Sequence, residues 1–357
     1  MKIHIENYGC TANKNNAEII AGILSKKHKL VDSEEKSDLV VVNTCVVKGP
    51  TENKIAKRIC DIKKPVIVSG CMADARKELV NKLRPDAVLV SVKGINDINK
   101  ALKNFDNKTK INKKKNAEKR EIKIRLPKIN NDENIEILQI CEGCLGKCTY
   151  CITKIAKGEL FSCPEKDIVN AIKKSNAKEI WLTSQDCGAY GKDIGTNLVS
   201  LLKKIVKIKK DFKLRIGMMN PDFAREMLDD LIEVYKNDKI RKFIHLPLQS
   251  GSNEILKKMN RKYSADDFLL IVKQFRQSFP GIHLKTDVIV GFPTETEEQF
   301  EDTLKIIREI KPGSLNISRF WPRPKTEAKK MKQLPDTVIM ERSKRIKEFY
   351  GKVKAEV

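Results

Sequence analysis

The feature that most constrains this chain is a repeated alternation of short apolar, β-branched runs with stretches of helical spacing. In the first hundred residues Ile3–Tyr8, Leu39–Asn43, Val66–Ser69 and Ala87–Val90 read as buried strands, and Asn15–Lys26, Glu52–Lys63 and Asp74–Leu83 as helices between them. Strand–helix–strand repeats need crossover connections, so this region is expected to form a parallel sheet with helical crossovers. A second series has strands at Ile135–Ile140, Ile180–Ser184, Leu214–Ile216, Phe243–Leu246, Lys285–Val290 and Leu315–Ser318. Its helices are Lys166–Lys174, Leu198–Ile208, Phe223–Tyr235, Ala265–Phe279 and Glu297–Ile310. Six such units suggest an open, partial β/α barrel, with functional groups at the carboxyl ends of the strands. A last helix runs from Asp336 to about Lys354.

The cysteines fall where this scaffold makes them useful. Cys144-Leu-Gly-Lys-Cys148-Thr-Tyr-Cys151 places three thiols within eight residues, on the loop after the first strand of the second series. Such a loop can wrap three corners of a cubic iron–sulfur cluster and leave its fourth iron open, here to bind and reductively cleave S-adenosylmethionine (SAM). In the first series Cys10 follows strand one, Cys45 strand two and Cys71 strand three. Strand ends of one polarity share one edge of a parallel sheet, so these three converge at one rim; the alternative is three ordinary small buried residues. Cys60, inside a helix, is expected in the core. A zinc module built on Cys141, Cys144, Cys148 and Cys151 fits less well, because only three residues separate its two pairs.

The 357 residues leave room for two domains, and 40% hydrophobic with only 6% aromatic content suits α/β architecture better than a β-sandwich. With no run of 18 apolar residues and a strand-like start in place of a signal peptide, the chain is expected in the cytoplasm, away from any membrane. In that reducing compartment its ten cysteines are better suited to binding metal than to forming disulfides. The formal net charge of +24 favours a polyanionic partner such as nucleic acid, although lysine is abundant throughout. Residues 106–130 hold ten Lys or Arg against three acidic residues, which reads as a solvated linker or, alternatively, as a segment that grips phosphates.

Over essentially its whole length the sequence resembles the radical-SAM methylthiotransferases that modify tRNA. The amino-terminal pieces are Asn7-Tyr8-Gly9-Cys10, Asn43-Thr44-Cys45-Val46 and Gly70-Cys71-Met72. The radical-SAM pieces are Gly143 through Cys151, His245 through Ser252, and Asp287 through Glu295. Trp181 through Gly191 and Arg215 through Pro221 are similar to the archaeal and eukaryotic branch, which acts on N6-threonylcarbamoyladenosine beside the anticodon. Other branches act on isopentenyladenosine in tRNA or on an aspartate of a ribosomal protein. The resemblance implies a Rossmann-like parallel-sheet domain at 1–105, a basic linker at 106–133, a radical-SAM partial (β/α)6 barrel at 134–335 and a closing helix at 336–357. Family members usually carry a further RNA-binding β-barrel after the helix, and the sequence ends at Val357 without one, so a separate RNA-binding protein is a candidate partner. Lys325 stands where the family commonly has glycine, and Cys141 and Cys187 stand where it has no cysteine.

The resemblance also implies the site. Cys144, Cys148 and Cys151 would hold one [4Fe–4S] cluster with SAM on its open iron, and Cys10, Cys45 and Cys71 a second, auxiliary [4Fe–4S] cluster that carries the inserted sulfur. Reduction of both would need a donor such as a ferredoxin or flavodoxin. SAM contacts are expected from Tyr150, by ring or backbone, from Ser184, Gln185 and Asp186 at its amino group, and from Gly291 at its adenine. Gln249 and Ser250 would bond its ribose or carboxylate, or else make only local turn bonds. Asp287 has both a site role and a structural strand-end role open to it. Arg215, Arg319 and Arg323 would pair with the SAM carboxylate, tRNA phosphates or the threonylcarbamoyl carboxylate. His4, His28 and His283 have no neighbours at metal-ligand spacing.

Overall fold

The computed structural model describes residues 1–106 and 120–355, and it divides into two compact units. The first unit comprises Met1–Cys144 and Ile152–Gln185; the second comprises Leu145–Cys151 and Asp186 onward. Among the described residues no helix is long and apolar enough to cross a membrane.

The first unit opens with β1 (Lys2–Asn7), α1 (Thr11–Leu24), β2 (Lys29–Val31), β3 (Leu39–Thr44), α2 (Gly49–Asp61), β4 (Val66–Gly70), α3 (Cys71–Ala75), α4 (Lys77–Leu83), β5 (Val88–Val90) and α5 (Ile98–Asp106). The five strands form one sheet in the order β2-β1-β3-β4-β5, with every pair parallel. Every residue of β3 and β4 is buried, because the sheet is covered on both faces. Val40 and Val42 pack with Ile55, Ile59 and Met72 on one face, while Leu39 and Val41 pack with Ile19, Ile23 and Ile98 on the other. This alternation is the two-residue period of a strand expressed as two cores.

Element ends depart from the sequence reading in ways that bear on the site. The expected helix Asp74–Leu83 begins at Cys71 and is interrupted at Arg76, whose φ of −132° is not helical. The three-residue strand β2 and the nine-residue helix α5 are short elements that the sequence reading did not include. Cys60 is exposed, not in the core as expected: Ile55 and Ile59 take the inward face of α2, and the next position turns about 100° away.

The unit continues with β6 (Ile135–Gln139), β7 (Cys141–Glu142), α6 (Thr153–Lys157), β8 (Phe161–Ser162), α7 (Glu165–Lys174) and β9 (Glu179–Thr183). Strands β6 and β9 pair in parallel, and β7 and β8 form a short antiparallel ladder. Residues 107–119 of the basic segment lie outside the described residues; over the rest Arg125 and Ile129 are exposed, as a solvated linker would have them, but two lysines are not. Lys123 is buried, and Lys128 reaches Glu136 at 2.6 Å and Glu18 of α1 at 3.2 Å. Gly22 makes this possible, since a Cβ there would stand 2.4 Å from the Lys128 amide nitrogen.

The second unit has α8 (Leu198–Ile205), β10 (Lys213–Ile216), α9 (Pro221–Glu226), α10 (Leu228–Tyr235), β11 (Phe243–His245), α11 (Asn253–Lys258), α12 (Ala265–Ser278), β12 (His283–Val290), α13 (Glu297–Ile310), β13 (Ser314–Arg319) and α14 (Asp336–Ala355). Strands β11, β12 and β13 are parallel neighbours. The capping boxes Ser264/Asp267 and Thr296/Gln299 start α12 and α13 where the sequence reading placed them. The expected helix Phe223–Tyr235 is divided at Met227, where φ is −126°.

Candidate functional site

The amino-terminal cysteines sit at the carboxyl edge of the five-stranded sheet. Cys10 is the residue that caps α1 after β1, Cys45 directly follows β3, and Cys71 begins α3 at the end of β4. The strand order reverses between β1 and β3, and a switch of that kind opens a crevice at the carboxyl ends of the strands.

Backbone geometry clears and fixes this crevice. Gly9 has a φ of +109°, and a Cβ there would lie 2.7 Å from Cys45 Cβ and 2.9 Å from Cys45 Sγ. Asn13 Nδ2 donates to the carbonyls of Tyr8 at 2.7 Å and Thr44 at 2.8 Å, tying the first cysteine loop to the second. Thr44 Oγ1 donates to Ser69 O at 2.5 Å and accepts from Met72 N at 3.0 Å, tying the second to the third. Burial pushes the Cys71 thiol up to about 12 and raises that of Cys45 as well.

These residues suit a cluster: three thiols, a cradle kept open by glycine, and loops locked to each other. Among the described residues no three His, Cys, Asp or Glu side chains are gathered as a single metal ion would need. A cluster brings its own iron and sulfide between its ligands, so its thiolates stand further apart than those of one ion.

Beneath this rim lies a charged group that sequence reasoning missed. Glu142 Oε1 accepts from Lys157 Nζ at 2.8 Å and from Lys123 Nζ at 2.7 Å. Lys157 is 1% exposed, Lys123 4% and Glu142 6%. Burial alone would raise the Glu142 carboxyl, but the two ammonium groups overcome it and hold it down at about 2. Burial lowers Lys123 to about 8, whereas the anionic neighbours of Lys157, Glu142 foremost, outweigh burial and raise it.

The Cys144–Cys151 loop is anchored at both ends. In the first unit Gly143 has a φ of +85°, and a Cβ there would meet Glu159 O at 1.9 Å. Gly143 N donates to Gln185 Oε1 at 2.8 Å, and Cys144 N donates to Gly158 O at 3.2 Å. Gln185, read from sequence as a SAM contact, is thus engaged at the root of the cysteine loop, with Ser184 beside it after β9.

In the second unit the rest of the loop is fastened to the end of α11. Thr149 N donates to Met259 O at 3.1 Å, Thr149 Oγ1 to Lys258 O at 2.8 Å, and Asn260 Nδ2 to Lys147 O at 2.9 Å. Arg261 follows directly and donates from Nη1 to Cys148 Sγ at 3.2 Å. A guanidinium aimed at a thiol fits a site where that sulfur is anionic. A cavity of about 850 Å³ opens here, lined by Cys148, Asn220, Asp222, Phe223 and Arg261 among others, a size that admits a nucleoside-like ligand. Asp222 Oδ1 is buried without a hydrogen-bond partner, and burial raises its carboxyl. Neither Arg261 nor Asp222 stood out in the sequence: Arg261 lies in irregular backbone just after α11 and Asp222 in the first turn of the short helix α9, where an acidic residue is ordinary.

The other expected contacts are placed as follows. Asp186 is buried and accepts at Oδ1 from Gly188 N and Asn220 N, both at 3.0 Å; burial pushes it up to about 6. The Tyr150 ring meets Phe292 edge-on at 6.4 Å, within an apolar group that includes Met259 and Phe320. Gln249 has a φ of +66° and joins β12 through Asp287 O and Ile289 N. Ser250 is fully buried, and its hydroxyl accepts from Ser252 N at 3.2 Å. Gly291 has a φ of +75°, and the place a Cβ would take lies 2.6 Å from Ile339 of α14, so helix packing as well as ligand approach asks for glycine.

Asp287 accepts from Asn316 Nδ2 at 2.6 Å and pairs with His245 Nε2 at 2.5 Å; burial would raise its carboxyl, but these partners bring it below its ordinary value. Arg215 lies 4.5 Å over the Phe243 ring, Arg319 ends β13 exposed, and Arg323 is buried. Lys325 takes a φ of +62°, so the turn keeps the conformation a glycine would adopt. Cys141, Cys163 and Cys187 are buried.

Comparison with known proteins gives the family. Residues 138–307 match the Radical SAM superfamily, and residues 2–91 match a family described as uncharacterized protein family UPF0004. A probable threonylcarbamoyladenosine tRNA methylthiotransferase of Pyrococcus horikoshii is 45% identical over 96% of this chain and 82% of its own length. The threonylcarbamoyladenosine tRNA methylthiotransferase of Drosophila melanogaster is 36% identical over 98% of this chain and 65% of its own length. A solved radical S-adenosylmethionine methyltransferase from Kitasatospora setae shares the fold with a TM-score of 0.66 at 15% identity, over 92% of this chain and 76% of that one. The thiols on a radical-SAM loop, the second set at a sheet switch point and the likeness along almost the whole chain converge: this chain belongs to the threonylcarbamoyladenosine tRNA methylthiotransferases, enzymes of the radical SAM superfamily.

Proposed function

We propose that the chain inserts a methylthio group at carbon 2 of N6-threonylcarbamoyladenosine next to the anticodon of tRNA, using two [4Fe–4S] clusters and SAM. The observation that carries this reading is the pairing, in one chain, of the Cys144/Cys148/Cys151 loop with the Cys10/Cys45/Cys71 rim. The C–H bond at carbon 2 of adenine is not acidic, so no general base removes its proton at a useful rate, and the clusters with SAM supply radical chemistry in place of it.

The chain's own residues bind and orient. Cys144, Cys148 and Cys151 hold the SAM-binding cluster, with Arg261 donating to the Cys148 sulfur. Asp186 receives the SAM amino group beside Ser184 and Gln185; Gln249, Ser250 and Gly291 line the strand ends, and Tyr150 backs them with its ring. Cys10, Cys45 and Cys71 hold the cluster that carries the inserted sulfur. Arg215, Arg319 and Arg323 contact the anionic substrate, and the +24 charge supports tRNA binding that weakens as salt rises. A ferredoxin or flavodoxin is the fitting electron donor, and a separate RNA-binding protein a fitting partner. The functional domains follow as 1–105 for the auxiliary cluster and 134–335 for the radical-SAM core.

The test is mass spectrometry of tRNA nucleosides from a host that makes threonylcarbamoyladenosine but lacks its methylthio derivative, with and without this chain. The expected product is 2-methylthio-threonylcarbamoyladenosine. A methylthio group on isopentenyladenosine instead would overturn the substrate. Iron and sulfide counts on the triple alanine variant of each cysteine set test the two-cluster reading separately, and each is expected to retain about half of the wild-type iron.

A further inference from the structure

We propose that Lys157 is the charge-compensating residue of the Cys10/Cys45/Cys71 site: its buried ammonium, beneath that rim, holds the anionic cluster and makes it easier to reduce. The inference rests on the reading of those three cysteines as cluster ligands.

The argument begins with charge. Lys157 and Lys123 share one carboxylate, Glu142, through bonds of 2.8 and 2.7 Å, and all three side chains are at least nine-tenths buried. Within this triad two cations on one anion leave a surplus of one positive charge away from water, where an uncompensated ion costs several kcal/mol. The other carboxylate that feels Lys157, Asp74, already accepts from Ser91 Oγ and Val92 N at 2.8 Å and feels Lys93 more strongly. A chain keeps such a surplus when an anion belongs next to it.

The placement of α6 says which anion. Helix α6 packs against α3, which Cys71 begins, and Ala156, the neighbour of Lys157, shares a buried cluster with Cys45, Cys71, Met72 and Ala75. The charge of Lys157 is felt at both Cys45 and Cys71, and those of Cys71 and Cys10 are felt at Lys157. Three thiolates and sulfide outweigh the iron charge of a cubic cluster, so the loaded site is anionic and takes up the surplus. Each added electron makes it more so, and a fixed cation nearby favours the reduced form.

The experiment uses the full chain with Cys144, Cys148 and Cys151 replaced by alanine, which leaves only the auxiliary site. Iron and sulfide are counted, and the midpoint potential is measured by electron paramagnetic resonance titration, for Lys157→Met, Lys157→Arg and Glu142→Gln. Lys157→Met, which leaves a neutral Lys123–Glu142 pair, is expected to load and to shift the midpoint to more negative potential. Lys157→Arg is expected to stay near the parent, and Glu142→Gln to shift the other way. Loss of the cluster in Lys157→Met with retention in Lys157→Arg supports the same conclusion. An unchanged midpoint in a fully loaded Lys157→Met, or equal loss in Lys157→Met and Lys157→Arg, overturns it. If Lys157→Met does not fold, a Glu142→Gln midpoint that fails to rise overturns it. Absence of iron from the parent triple variant would instead overturn the two-cluster reading beneath it.

Discussion

The guanidinium of Arg261 stands 3.2 Å from the sulfur of Cys148, and its own ring partner, Tyr263, lies 4.9 Å beneath it. The arginine also donates to Tyr263 Oη and Asn220 Oδ1, and it spends one N–H on the sulfur proposed as a ligand of the SAM-binding cluster. Replacing Arg261 with methionine keeps much of the volume and removes the donor. In the Cys10/Cys45/Cys71 triple alanine background, Arg261→Met is expected to retain its iron but to cleave SAM roughly 10- to 100-fold more slowly, as loss of a charge-assisted bond implies. Single-turnover assays with a chemical reductant measure this; an unchanged rate would remove Arg261 from the site.

Asp186 carries a pH dependence whose sign is fixed by burial. Its carboxyl ordinarily titrates at 3.8 and is pushed up to about 6 in the fold. Between those values the folded chain binds the more protons, so stability falls as pH rises from about 4 to 6, by about 3 kcal/mol in all. Asp186→Asn keeps the acceptor for Gly188 N and Asn220 N and is expected to be more stable than wild type in urea at pH 7.5, with the difference closing near pH 4. Its SAM affinity is expected to drop by roughly tenfold or more. Equal stability at both pH values would refute the assignment.

Gly9→Ala tests the cradle at the amino-terminal cysteines. The new Cβ would fall 2.9 Å from Cys45 Sγ at a φ of +109°. The positive φ and the 2.7 Å approach to Cys45 Cβ are expected to cost roughly 1 kcal/mol or more of stability, and iron bound at that site is expected to fall steeply. The readout is iron content in the background lacking Cys144, Cys148 and Cys151; full loading would show that the crevice has room to spare.

Glu142→Ala strips both buried lysines of their shared partner and is expected to cost about 3–5 kcal/mol. Adding Lys123→Met removes one of the stranded charges and should recover part of that loss. Urea unfolding of the single and double variants decides the matter, and a double variant no better than the single would deny the coupling.

What the sequence determined by itself was set by local rules. Period-two apolar runs and helical spacing specified the parallel sheet, the β/α repeats and the capped helices α12 and α13, because each depends on residues a few positions apart. The cysteines were legible for the same reason: three lie within one short loop, and three follow strands whose parallel direction forces their ends to one edge. Tertiary structure alone decided the rest. Glu142, Lys123 and Lys157 meet across 15 to 19 residues of chain, and Arg261 reaches Cys148 from 113 residues away, with no pattern in composition or period to announce either. Cys60 was misjudged because a helix face is assigned by its neighbours in space, and Lys123 and Lys128 of the basic segment because they find their carboxylates only after the chain has folded. Spacing fixes which groups lie near one another along the chain; packing and charge pairing fix what each of them faces.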